Sequence, residues 1–367
     1  MKKVVSVALA LVMVLALGMV AFADNADTTF NVPVYYNYPA ENAGTVKPAE
    51  TFTIAISDCT NKAENVPTFA SKSVALAFAE SSNQEDVQFA EFTVNGSSLK
   101  KAGVYTYNIT ETPAHDYAGM TYDETVAVLT LYVLAGEKPG EFTVKTVITY
   151  DEGKVNGGKK NVDTQKYEKT EDTSEAGATF TNIYKAASFD PSGSNKGLSI
   201  SKSVTGNMGD KSADFTVVVN FESAKELAAP IKYTDGTDKT VTLTKGLEDS
   251  TYKGSATITV KHGETVTFDN VPYGVTYSVA ENDYSEDGYT TTYTLDGETY
   301  TPAQGTTGIS AQTVAAPSIA VGITNANGID VPDTGVFLDY LPYAIVVAIV
   351  IAAVGVFIIK KRKSEEY

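Results

Sequence analysis

The strongest constraint on how this chain can fold is a series of short runs in which polar and apolar residues alternate. They include Phe142 to Tyr150, Asp214 to Phe221, Ser255 to Lys261, Glu264 to Phe268, Val275 to Ala280 and Tyr289 to Leu295. Alternation with period two places successive side chains on opposite faces of a strand, so each run can bury one face and wet the other. Runs this short, separated by turn residues, predict antiparallel β-sandwiches. Between the two ends of the chain, helical turns are expected only at Ser71 to Ser81 and Ser223 to Ala229. Thr and Val are plentiful, and 22 Tyr and 15 Phe occur without a single Trp. That balance suits pleated, half-buried surfaces.

The stretch from Asp190 to Gly197, Asp-Pro-Ser-Gly-Ser-Asn-Lys-Gly, is the most linker-like by composition. Taking 189–197 as the linker divides the chain into a first domain over 24–188 and a second over 198–328. Each is large enough for a sandwich of seven or more strands. Cys59 is the only cysteine, so no intrachain disulfide can form, and a large core or another kind of cross-link must stabilise the fold. Cys59 itself is expected as a buried small apolar residue. The net charge of -17 argues against nucleic acid and anionic membrane surfaces as partners. It suits a solvated extracellular protein.

The two ends carry processing signals. Lys2 and Lys3, the apolar segment from Val4 to Val20 and the small-x-small site Ala21-Phe22-Ala23 predict a secretory signal peptide over 1–23. Near the other end, VPDTG at 331–335 is followed by an apolar run at 341–359 and a basic tail at 360–367. About 20 apolar residues suffice for a transmembrane helix, and the basic cluster holds the C-terminus in the cytoplasm. The pentapeptide resembles the LPXTG motif cut by sortase, with Val331 where Leu is usual. The resemblance implies cleavage between Thr334 and Gly335. The expected product is a secreted protein, transiently membrane-anchored, then covalently attached to the cell wall or to a pilus.

The two halves share an arrangement. Gly103-Val-Tyr-Thr-Tyr-Asn-Ile-Thr-Glu111 and Phe180-Thr-Asn182 in the first answer to Tyr273-Gly-Val-Thr-Tyr-Ser-Val-Ala-Glu281 and Ile323-Thr-Asn325 in the second. At these residues the chain resembles the streptococcal-type major pilins with intramolecular isopeptide linkage. The likeness continues in Gly119 to Val126, Leu198 to Gly206 and Gly209 to Phe215. It implies an all-β protein of two tandem reverse-immunoglobulin-like β-sandwich domains stacked end to end. It also implies a lysine on the first strand bonded to an asparagine on the last, promoted by an acid. Carried onto this sequence, those residues are Lys202, Asn325 and Glu281 in the second domain. Burial disfavours the charged form of such a lysine, leaving a nucleophilic amine, and favours a neutral acid that can polarise the asparagine carbonyl.

The first domain departs from the pattern. Glu111 and Asn182 occupy the places of the acid and the asparagine, but the first strand, Thr29 to Tyr38, has Val34 about where the lysine belongs. No lysine occurs between Lys3 and Lys47, and Lys47 precedes a proline in loop-like sequence. This domain is therefore expected to lack the usual bond or to use a lysine from an atypical position. Polymerisation in the resembling pilins needs an exposed lysine late in the first domain. The segment Lys154 to Lys169 offers Lys159, Lys160, Lys166 and Lys169; the plainer reading is a charged, solvated loop.

No cofactor is implied. His115 and His262 are too few for a zinc cluster, and Asp283 to Gly288 lacks the glutamate of a calcium loop, which would fall at Thr294; no metal is expected. The sequons at Asn95 and Asn108 are weak signals in a bacterial wall protein. No phosphate-binding loop or hydrolase nucleophile motif occurs, so the chain is not expected to be an enzyme. The expectation is a structural surface protein, a pilus shaft subunit or pilin-like wall protein stabilised by an autocatalytic Lys-Asn bond. Its partners would be sortase, copies of itself or other pilins, and peptidoglycan. The alternative is a monomeric wall-anchored adhesin that binds a host or neighbouring-cell ligand.

Overall fold

The computed structural model describes residues 29–61, 64–150, 177–193, 195–247, 250–302 and 307–329, with seven further residues between 343 and 351. The first half contributes β1 (Thr29–Asn37), β2 (Glu50–Ile56), β3 (Ser73–Phe78), β4 (Val87–Asn95), β5 (Gly103–Pro113) and β6 (Met120–Thr121). It continues with β7 (Ala127–Ala135), β8 (Phe142–Tyr150), β9 (Ala178–Thr181), β10 (Ile183–Tyr184) and β11 (Ala186–Ala187). The second half begins with β12 (Gly197–Thr205), β13 (Phe215–Ser223), β14 (Ile231–Thr234), β15 (Asp238–Val241), β16 (Thr244–Lys245) and β17 (Tyr252–Val260). There follow β18 (Thr265–Asp269), β19 (Val271–Pro272), β20 (Thr276–Glu281), β21 (Thr290–Leu295), β22 (Glu298–Tyr300), β23 (Ile309–Thr313) and β24 (Ser318–Ala326).

Each half is a β-sandwich. In the first, the sheet β4-β1-β9 faces the sheet β3-β2-β5-β7-β8. In the second, β15-β14-β18-β12-β24-β21-β22 faces β16-β17-β13-β20-β23. The alternation in the sequence explains the two layers. Ala127, Leu129, Leu131 and Val133 of β7 are buried, as are Phe215, Val217, Val219 and Phe221 of β13. Two separate hydrophobic clusters result, one per sandwich.

In both sandwiches the first and last long strands pair in parallel: β1 with β9 and β12 with β24. Parallel neighbours cannot be joined by a hairpin. The intervening chain must cross to the facing sheet and return, so each sandwich is closed where its two ends lie side by side. That closure positions the candidate sites.

Two expectations are corrected. Ser71 to Ser81 holds no helix: it contains strand β3, with Leu76 and Phe78 buried on alternate positions and paired to β2. Ser223 to Ala229 is not helical either; after β13 it is used in the joint between domains, where Glu226 O accepts from the Ala118 amide. The stretch from Asp190 to Gly197, between β11 and β12, is held by the Phe189–Lys196 bridge and the Asp190 N–H to Asn195 O bond.

The joint is built from both domains. β11 pairs with β19, and the Asn270 side chain bonds both the amide and the carbonyl of Val46, at 3.0 and 2.8 Å. Gly44, with φ of 84°, is required there: a Cβ would lie 2.4 Å from Phe189 O.

Cys59 is only partly buried, and its thiol donates to Asn61 Oδ1. It sits at the edge of the first core, where the strand has already ended, rather than inside it. The signal peptide at 1–23, the VPDTG motif with Thr334 and Gly335, Lys159, Lys160, Lys166, Lys169 and the tail at 360–367 lie outside the described residues. Of the 341–359 segment, the described residues between 343 and 351 are helical and exposed. Among the described residues no helix is long and apolar enough to cross a membrane, and no cluster of three metal-ligating side chains occurs.

Candidate functional site: an acid and an asparagine at the closure of each sandwich

In the second sandwich, Lys202 of β12 lies opposite Ile323 of β24, and Val204 lies opposite Asn325. Residues two apart on a strand share a face, so Lys202, Ile323 and Asn325 all point into the core, and all are buried. Glu281 ends β20 on the facing sheet and is buried beneath them. Lys202 Nζ donates to Glu281 Oε1 at 2.5 Å, with both side chains at 1% exposure or less. The same nitrogen sits 4.1 Å from the centroid of the Phe215 ring, a favourable seat for a cation or an amine. Thr291, the neighbour of Asn325 on β21, donates its hydroxyl to Glu281 Oε2 at 3.3 Å. The acid therefore spans from the lysine to the strand beside the asparagine.

Two features of this cluster are chemically active. Burial holds the Lys202 ammonium below the ordinary lysine range, against the opposing hydrogen bond and charge of Glu281. Asn325 is fully buried, yet neither Oδ1 nor Nδ2 has a hydrogen-bond partner. Burying an amide unpaired costs roughly 2–7 kcal/mol, and folded proteins seldom leave both its atoms unsatisfied.

The first sandwich repeats the scaffold with different occupants. Tyr36 of β1 pairs with Phe180 of β9, and Asn182 follows two residues on. By this register the counterpart of Lys202 is Tyr36. Val34 pairs with Ala178, one inward position earlier, which corrects its placement from the sequence. Glu111 lies on β5, and Asn182 Nδ2 donates to its Oε1 at 2.6 Å. Asn182 Oδ1 accepts from the Asp123 amide, also at 2.6 Å. The Asp123 carboxylate in turn accepts from the amides of Thr181 and Thr125. Asn182 is thus fully bonded, whereas Asn325 is not.

Burial pushes the Glu111 carboxyl up to about 7, against the hydrogen bond from Asn182 and helped by the Asp123 charge. Burial, and then Glu111, push the Tyr36 hydroxyl well above the ordinary phenol range. Neither Tyr36 Oη nor Glu111 Oε2 has a hydrogen-bond partner.

Lys47 is buried as well, but elsewhere. Its ammonium sits on Asp86 at 2.6 Å and over the Tyr38 ring at 4.3 Å, not on Glu111 or Asn182. His115 bonds Glu50, and His262 Nδ1 accepts from the Val204 amide; both have structural partners. Sequence reasoning missed Phe215, Thr291, Tyr36 and Asp123. Asp123 and Phe215 left a trace, within the Gly119 to Val126 and Gly209 to Phe215 segments that carry the pilin likeness.

Residues 37–185 match the family described as the Spy0128-like isopeptide containing domain. Residues 196–326 match a family described as a domain of unknown function, DUF7601. A curated pilin of Streptococcus pyogenes serotype M1 is 28% identical over 285 residues, 75% of this chain and 72% of the relative. The crystal structure of a major pilin from Streptococcus pyogenes covers 82% of this chain and 99% of its own, at 22% identity and a TM-score of 0.46. The T-13 major pilin of the same species covers 82% and 98%, at 18% identity and a TM-score of 0.46. The chain resembles the streptococcal-type major pilins, and its relatives are structural proteins.

Proposed function

We propose that this protein is a sortase-processed pilus shaft subunit of a Gram-positive bacterium, its second domain closed by an autocatalytic bond between Lys202 and Asn325. The observation that carries this reading is the unpartnered, fully buried Asn325 amide beside a buried lysine and acid.

The amine of Lys202, whose charged form burial disfavours, attacks Cγ of Asn325. Glu281 takes the proton from the attacking nitrogen and delivers one to the departing amide nitrogen. A C–N bond to lysine forms, the C–N bond to the side-chain nitrogen breaks, and one ammonia leaves.

Sortase cleavage between Thr334 and Gly335 would join the subunit through Thr334 to peptidoglycan or to a lysine of the next copy. Lys159, Lys160, Lys166 and Lys169 are the lysines proposed for that role. Intact mass of the secreted ectodomain tests the internal bond: one lost ammonia in the native protein and none in Lys202→Ala or Asn325→Ala. A native protein of full mass overturns it. Boiled wall extracts test assembly, where a high-molecular-weight ladder is expected and a single wall-linked species overturns the shaft role.

A further inference from the structure

The first sandwich contains an acid and a buried asparagine in contact but no amine. We infer that it is a latent isopeptide site, complete except for its nucleophile, and that residue 36 alone determines whether this domain is covalently closed. The inference deepens the reading of the second domain and rests on the same chemistry.

The strand registers make the argument. In the second domain the nucleophile lies opposite the residue two before the asparagine, Lys202 against Ile323. In the first, the residue in that relation to Asn182 is Tyr36, against Phe180. The acids correspond as well: Glu281 closes the run Thr276-Tyr-Ser-Val-Ala-Glu281, and Glu111 closes Thr106-Tyr-Asn-Ile-Thr-Glu111. Each acid reaches across from the facing sheet to the residue on the first strand, Glu281 to Lys202 and Glu111 to Tyr36. Tyr36 is buried, as a nucleophile at this place would have to be.

A phenol cannot do the lysine's work here. Burial and the neighbouring acid keep its proton on, so it is a poor nucleophile, and its hydroxyl is buried without a hydrogen-bond partner. The Asn182 carbonyl meanwhile accepts from the Asp123 amide. That backbone donor is placed to stabilise the negative charge that would develop on the oxygen under attack. A lysine at 36 would bring a flexible chain with a terminal amine to Glu111 in place of the ring. The balanced step is the one written for the second domain: a new bond from Nζ to Cγ of Asn182, and loss of one ammonia.

The test uses the full ectodomain. Tyr36→Lys is expected to lose two ammonias where the native protein loses one, and Tyr36→Lys/Glu111→Gln to lose only one. Val34→Lys, one inward position away, is expected to add no loss. Tandem mass spectrometry should find residue 36 joined to Asn182. A folded Tyr36→Lys protein with no additional loss overturns the inference. A native protein of full mass together with one loss in Tyr36→Lys would instead sink the Lys202 bond and leave the inference standing. Should Tyr36→Lys not fold, a second measurement decides. Tyr36→Phe keeps the ring and should move the Glu111 titration, followed by carboxyl NMR, upward from about 7, while Val34→Ala leaves it in place. An unmoved midpoint in Tyr36→Phe overturns the assignment of residue 36.

Discussion

The two sandwiches offer the same geometry to different side chains, and they settle it in opposite ways. In the second, Lys202 and Glu281 are bonded while the Asn325 amide is left without partners. In the first, Asn182 is satisfied on both sides by Glu111 and Asp123, and the place of the amine is filled by a phenol. A buried amide that is fully hydrogen-bonded is at rest, whereas one that is unpartnered beside an amine is poised to react. On the assembly proposed above, tension that enters at a lysine within 154–169 leaves through β9 and the joint into β12. Strands β1 to β8 precede that entry point and lie off the loaded path. The first domain can therefore tolerate a hydrogen-bonded clasp where the second, loaded from β12 to β24, benefits from a covalent one.

The comparison can be broken by substitution, and the largest effect is expected in the second domain. Lys202→Met keeps an apolar chain on Phe215 but cannot form the proposed bond. A link from residue 202 to residue 325 closes a loop of about 120 residues. By analogy with disulfides it constrains the unfolded chain by roughly 4–5 kcal/mol. Thermal unfolding of the second domain should fall accordingly, and an unchanged transition would show that no link exists. Next in size is Lys47→Ala, which removes the buried partner of Asp86. Breaking a buried ion pair costs about 3–5 kcal/mol, and the 24% exposure of the Asp86 side chain reduces this to roughly 2–4 kcal/mol. That loss should appear in the first domain's transition with no change in the mass deficit. Asn182→Ala should cost roughly 1–3 kcal/mol, the penalty for orphaning a buried polar group, again at constant mass. A loss of ammonia that vanished in Asn182→Ala would mean that the first domain is cross-linked after all.

Much of this was legible in the sequence. The paired Thr-Tyr-x-(Ile or Val)-x-Glu segments and the Thr-Asn endings carry the resemblance that points to Glu111, Asn182, Glu281 and Asn325, and the strands around them were legible because alternation is a local property that survives into the fold. The place of the missing lysine was not legible. Whether Val34 or Tyr36 occupies it depends on the pairing of β1 with β9, strands far apart in sequence, and one inward step moves the assignment by two residues. Phe215 and Thr291 belong to the site through contacts between sheets and across β21, which no local pattern records. Ser71 to Ser81 was misjudged because a run rich in alanine and serine has weak preference, and pairing with β2 decided it. The turn at 190–197 has linker composition, but tertiary bonds to Ala43 and Ser318 fix it.

The pH dependence is the effect most specific to the first domain. Burial raises the Glu111 carboxyl from 4.5 to about 7, so the folded state binds a proton that the unfolded chain has released. A raised carboxyl of this kind stabilises the fold fully below the unfolded value and loses that contribution as pH rises through the folded one. The first domain should therefore weaken between about pH 4.5 and 7 and level off above, as the ionised acid comes to rest on the Tyr36 hydroxyl and the Asn182 amide. Glu111→Gln, which keeps the shape and carries no charge, should flatten this slope without altering the number of ammonias lost. Unfolding midpoints of the first domain across this range, for the native protein and the variant, provide the measurement. A slope that persists in Glu111→Gln would assign the dependence to another group.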